Sequence, residues 1–239
     1  MNPLILMALG AVLGFALIRF PVTGLIVSVA LLAHSWRKRH DFDGGAPSQD
    51  DDTPPGYVDV AVSIEALMQN NGVMALAVAL MIFPLAFFWT TSGFDTFMDD
   101  LLTMRNLLLA LPALLVGIVL HEGIHALGWI IFGGVSPRSI SFGVDRKTLS
   151  PYAHADVPMG ATGYRIGALL PGLLTGILPT LVGIIAVDAG LTLLGAFLLS
   201  AAVGDVLVVW VIRAVPGRAQ VIDHPSKAGC LVEESAFSS

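Results

Sequence analysis

The sequence predicts an all-α membrane protein, a polytopic helical bundle of five or six membrane segments with a short cytoplasmic β-hairpin. Three observations carry that prediction. The chain is 55% hydrophobic and only 13% charged over 239 residues, with a mean hydropathy of +0.81, whereas a soluble domain is about half apolar and a quarter charged. Its apolar residues fall in long blocks, several of them near or beyond the roughly 20 residues that cross a hydrocarbon core as a helix. Between two of those blocks, residues 139–155 form two extended runs around a polar turn, the pattern of a hairpin.

The first block runs from Pro3 to Trp36 and is interrupted at Arg19-Phe20-Pro21. At 1.5 Å per residue it would be roughly 50 Å long, too long for one straight span. It reads either as one kinked, tilted helix or as two short ones. No basic region precedes it, so a retained membrane segment is expected rather than a cleaved leader. Residues 37–57 are rich in Gly, Pro and Asp, the composition of a flexible acidic loop. Tyr57 to Leu67 carries Val58, Val60 and Val62, and suits either a short strand or an interfacial segment. The second span covers Val73–Thr91 with Pro84 inside it, and the third Arg105–Phe132. The fourth is Tyr164–Val187, punctuated by Pro171, Gly172, Gly176 and Pro179, and the fifth is Ala189–Ile212. The chain thus divides into an N-terminal segment, loop and short strand (1–72), a membrane core (73–213) and a polar cytoplasmic tail (214–239).

Orientation follows from the basic residues. If the loop after residue 36 is cytoplasmic, then Arg37, Lys38, Arg39, Arg138, Arg146, Lys147, Arg165, Arg213, Arg218 and Lys227 lie inside or at the inner boundary, ten of the twelve basic residues. A multi-pass protein of a prokaryotic plasma membrane is expected. The net charge of −6 argues against a nucleic-acid partner, and the short basic run Trp36-Arg37-Lys38-Arg39-His40 reads as a membrane-flanking anchor. The one cysteine, Cys230, excludes an intrachain disulfide. The oligomeric state is left open.

The third span contains His121-Glu122-Gly123-Ile124-His125. Histidines four apart share a helix face, so both imidazoles can reach one zinc ion while Glu122 stands beside them as a general base. Ionisable residues at this depth are costly in hydrocarbon and mark a functional site. His121 lies 16 residues below Arg105, and Asp205 lies 16 residues below Ala189, roughly 24 Å down in both cases. Asp205 is therefore the expected third ligand, with Zn2+ as the cofactor and the site in the cytoplasmic half. The competing role for Asp205 is an ion pair with Arg165 or Arg213. His154 is the alternative third ligand, ahead of Asp156, Asp223 and His224, because the hairpin follows the motif span and can fold back over it. Gly117, Gly123, Gly128 and Gly204 could allow the ligand helices to approach. An unwound substrate could add a strand to the edge of the hairpin.

These residues resemble the intramembrane zinc metalloproteases of the site-2 protease class. The chain looks closer still to a membrane family described as putative zincin peptidases. The resemblance rests on the zinc motif, on Ser150-Pro151-Tyr152-Ala153-His154, on Tyr164-Arg165-Ile166-Gly167-Ala168-Leu169-Leu170-Pro171-Gly172, on Gly204-Asp205 and on Asp223-His224-Pro225-Ser226. It implies zinc-dependent proteolysis of a membrane-protein substrate in or near the bilayer, with Glu122 as base and an aspartate as third ligand. The chain departs from the site-2 class in its Gly-Asp order and in having no asparagine after Asn106. Two other functions fit the same residues: a membrane zinc hydrolase of a lipid or small amide, and a non-catalytic metal-binding scaffold or transporter.

Overall fold

The structure is a computed structural model that describes residues 53–69, 71–144 and 151–237. The block Pro3–Trp36, with Arg19, His34 and His40, lies outside the described residues, as does the hairpin turn 145–150. The expectation of one or two segments there falls outside the described residues as well.

Among the described residues, four helical stretches are long and apolar enough to cross a membrane: Gly72–Ser92, Met104–Gly133, Ala161–Ala186 and Ala189–Ala214. They match the second to fifth predicted spans. In chain order the described elements are β1 (Tyr57–Val62), α1 (Ile64–Gln69), α2 (Asn71–Ser92), α3 (Phe94–Leu101) and α4 (Met104–Gly133). There follow β2 (Ile140–Val144), β3 (Pro151–Ala155), β4 (Met159–Gly160) and α5 (Ala161–Pro171). A π-helical turn over Gly172–Ile177 leads into α6 (Leu178–Ala186), α7 (Ala189–Ala201), α8 (Val203–Val211), β5 (Gln220–Asp223) and β6 (Ala228–Glu233).

The six strands among the described residues lie at one end of the bundle. Each membrane-length stretch crosses to the other side, so the strands before α2, after α4, before α5 and after α8 return to the same end. β2 and β3 pair antiparallel, as the sequence predicts. The remaining strands form a sheet in the order β1-β6-β5-β4, which makes the all-α prediction too narrow. β1 settles the ambiguity at Tyr57–Leu67: it is a strand, registered Tyr57 to Glu233 against β6, followed by the short helix α1. The tail is not merely polar. Gly229 to Val232 of β6 are all buried, so β6 lacks the two-residue alternation by which half-buried strands are recognised. The sheet joins residues from all three of the ranges 1–72, 73–213 and 214–239.

Local signals explain where the helices start and stop. Thr103 caps α4, its hydroxyl accepting from the Asn106 amide at 3.3 Å, and Gly134 ends it at φ +70°. At the far end, α3 buries Phe97 against Phe88 with their rings edge-to-face. The Asp100 carboxylate accepts from the Ala189 amide at 2.6 Å, and Asp188 caps α7 while pairing with Arg105 at 3.0 Å. The core at the strand end packs Trp129, Met159, Tyr164, Ile212, Val221 and Cys230 together.

Candidate metal centre

Two irregularities shape the middle of the bundle. In the fourth-span stretch, Pro179 has no N–H for the Thr175 carbonyl four residues earlier. The chain accommodates this with the wide turn Gly172–Ile177, which buries Thr175. Pro171, Gly172, Gly176 and Pro179 thus form or flank this turn. The last stretch is interrupted at Ala202, where the Asp205 amide bonds back three residues to the Ala202 carbonyl at 3.1 Å. That restart puts Asp205 in the first turn of α8.

Across from both, α4 presents His121 and His125. The Asp205 carboxylate lies between them, Oδ2 at 3.1 Å from His121 Nε2 and Oδ1 at 3.3 Å from His125 Nε2. One ligand atom from each of the three lies within 4.8 Å of the others. Residue counting along two separate spans put the histidine pair and Asp205 at one level, and in the structure the three side chains meet. The competing partners of Asp205 are engaged elsewhere: Arg165 donates to the carbonyls of Ile212 and Val215 at 2.6 Å, and Arg213 to that of Trp210 at 2.9 Å.

The hydrogen bonds decide how the imidazoles are oriented. Thr175 donates its hydroxyl proton to the Pro171 carbonyl at 2.8 Å, so its oxygen accepts from His121 Nδ1 at 3.2 Å. His125 Nδ1 donates to the Gly167 carbonyl at 3.0 Å. Both neutral rings would then aim a bare Nε2 lone pair at carboxylate oxygens. Such an arrangement is repulsive unless protons or a cation sit between the donors. Two imidazole nitrogens and a carboxylate, with outer nitrogens held by a hydroxyl and a carbonyl, fit zinc well.

The site opens onto a cavity of about 400 Å³ whose lining includes His121, Glu122, His125, Asp205, Ala153 and Asp223. Trp129 floors it, stacked between His125 and Tyr164 with ring centres 5.6 and 5.9 Å away. Glu122 is partly buried, and Ala153 of β3 lines the cavity with it. The alternative ligand His154 is not in the cluster. It lies between Asp223 and Asp156, each at 2.9 Å. His224 accepts from the Ser226 and Lys227 amides through Nδ1. Of the four glycines singled out, Gly117 and Gly128 meet neighbouring helices, whereas a Cβ at Gly123 or Gly204 would touch nothing. Sequence reasoning gave no site role to Thr175, Gly167, Trp129 or Tyr164. The signal for two of them was that Tyr164 and Gly167 fall in a segment that carries the resemblance.

Residues 114–219 match the family described as "Putative zincin peptidase". The matched segment contains the motif, the hairpin and Asp205, and it points to a zinc metallopeptidase as the chemistry. Neither the curated proteins nor the solved structures contain a match to the chain.

Proposed function

We propose that the protein is an intramembrane zinc metalloprotease that hydrolyses peptide bonds of membrane-anchored proteins. The observation that carries this reading is the convergence of His121, His125 and Asp205 from two membrane-length stretches, with Glu122 beside them in one cavity. His121 Nε2, His125 Nε2 and an Asp205 oxygen would hold the ion. Zinc in such a site supplies Lewis acidity, bringing the pKa of a water towards neutrality and polarising a carbonyl.

The residues of the chain do the rest. Glu122 takes a proton from the attacking water as the C–O bond forms, and returns it to the amine nitrogen as the C–N bond breaks. Thr175 and the Gly167 carbonyl keep the imidazoles aimed inward. The free edge of β3 borders the cavity and can hold an extended substrate backbone by strand addition, which a helical substrate must unwind to reach. The basic residues Arg138, Arg165, Arg213, Arg218 and Lys227 cluster towards the strand end, whereas Arg105 is at the other. This supports a cytoplasmic sheet and a site in that half of the bilayer.

The test is zinc per protein, by elemental analysis in detergent, on wild type, His121→Ala, Asp205→Ala and Glu122→Gln, with cleavage of transmembrane peptides measured in parallel. The proposal expects near one zinc in wild type and Glu122→Gln, marked loss in the two ligand variants, and turnover in wild type alone. The general base is worth about 10²–10⁴ in rate. Zinc binding with Glu122→Gln indifferent in every assay would instead identify a scaffold or transporter. Turnover confined to lipids or small amides would identify the other hydrolase.

A further inference from the structure

Two of the motifs that carry the family resemblance meet outside the metal cluster, and the proposed hydrolysis does not use them. His154, on β3, reaches Asp223 at the end of β5: Nδ1 lies 2.9 Å from Asp223 Oδ2, and Nε2 lies 2.9 Å from Asp156 Oδ1. Both ring nitrogens face carboxylates, an arrangement that only the imidazolium, which donates from both, satisfies in full. The Tyr164 hydroxyl points at the other Asp223 oxygen at 2.6 Å. Asp223 is thus fixed from the helix side and grips the hairpin from the sheet side.

The ladder of the hairpin shows what this grip holds. The Asp156 amide donates to the Ser139 carbonyl at 3.2 Å. Hydrogen-bonded pairs alternate along an antiparallel ladder, so Phe142 and Ala153, three positions further along, form a pair that exchanges no bonds. The Ala153 N–H and C=O therefore point to the free edge of β3, and Ala153 lines the same cavity as Glu122. His154 is the next residue.

We propose that His154 is a positioning residue: through Asp223 and Asp156 it anchors the edge of β3 so that the Ala153 amide is held at the cavity it shares with Glu122. Its catalytic consequence rests on Glu122 being the base. The anchoring itself does not.

The groups around the ring favour its charged form. Hydrogen bonding to Asp223 raises the His154 pKa against the opposing effect of burial, and Asp156 adds to the rise. The nearby His224 is held below its ordinary value, chiefly by burial, and its Nδ1 is taken up as acceptor of the Ser226 and Lys227 amides. A raised folded-state pKa means that the anchor is at full strength below the unfolded value, about 6.5. It is lost as pH rises through the folded value.

The experiment uses full-length protein in detergent with zinc supplied. It compares wild type with His154→Ala, His154→Gln and His154→Arg by zinc content, amide exchange over residues 151–155 corrected for intrinsic pH effects, and cleavage of a transmembrane peptide. Zinc should be retained in all four. Exchange over 151–155 should rise on the order of tenfold in His154→Ala and His154→Gln, and kcat should fall more than KM rises. In wild type, protection should fade at alkaline pH. His154→Arg, whose guanidinium does not titrate, should keep protection there. Zinc loss in His154→Gln would make His154 a ligand and overturn the proposal, as would unchanged exchange and kcat in both neutral variants. A hairpin that loosens in a protein that cleaves nothing would support the anchor and refute the protease reading. A tight hairpin in an active His154→Ala would refute the anchor alone.

Discussion

Thr175 has one hydroxyl proton, and the Pro171 carbonyl takes it. The oxygen left over is the acceptor that orients His121. Replacing Thr175 with Val keeps the shape and removes that acceptor. Loss of an outer partner of a ligating histidine typically costs 10–100-fold in metal affinity. Thr175→Val should therefore weaken zinc binding by about that factor in competition with a chelator, while the helical circular dichroism stays unchanged. Equal affinities would show that the Thr175 oxygen does not hold the ring. The sequence displays the proposed ligands and hides their support. His121, Glu122 and His125 are legible because helical periodicity puts the histidines on one face. Asp205 is legible because residue counting places it at the same depth. Thr175 is not, since a threonine in an apolar span ordinarily bonds its own helix and here it does both. Gly167 contributes only a carbonyl, which has no residue signature.

At the scale of elements, the site depends on how closely α4 and α5 cross. A Cβ at Gly128 would lie 2.7 Å from the Gly167 Cα, which is backbone and cannot yield. Small residues permit such contact between membrane helices. The same crossing lets the Gly167 carbonyl reach His125. Gly128→Val should force the helices apart, lowering stability by about 1–3 kcal/mol as overpacking does and weakening zinc binding at the same time. Gly123→Ala is the control, because that Cβ meets open space. If both variants unfold thermally at the wild-type temperature and hold zinc equally, the close crossing does not set the site. The membrane-length stretches are legible from hydropathy to within a few residues. The hairpin is legible from its polar turn. β5 and β6 are not, because four and six residues with little alternation carry too weak a signal against the background of a polar tail. α3 was missed because it lies in a connection too short and polar to read as a span.

The whole molecule is closed by its last strands. β6 pairs with β1 on one side and β5 on the other, and the Lys227 ammonium reaches the buried Asp59 carboxylate of β1 at 2.6 Å. The tail is thereby tied to the segment that precedes the first described span. A single thiol reports on this closure. Cys230, the only cysteine, is fully buried in β6, and burial pushes its pKa up to about 12. Thiols react as thiolates, so the folded protein should resist a maleimide at neutral pH and label only when β6 leaves the sheet. Removing one member of a buried ion pair strands the other, at a cost of up to about 3–5 kcal/mol when both are deeply buried. Lys227 is partly exposed, which places Lys227→Met below that range. Labelling of Cys230 in this variant should begin at a lower temperature than in wild type. If the bundle and sheet unfold together, release of zinc should move with it. Unchanged labelling would show that the Asp59–Lys227 pair does not hold the tail. Labelling that advances while zinc stays bound would show that the sheet opens independently of the helices, leaving the metal centre to the bundle alone.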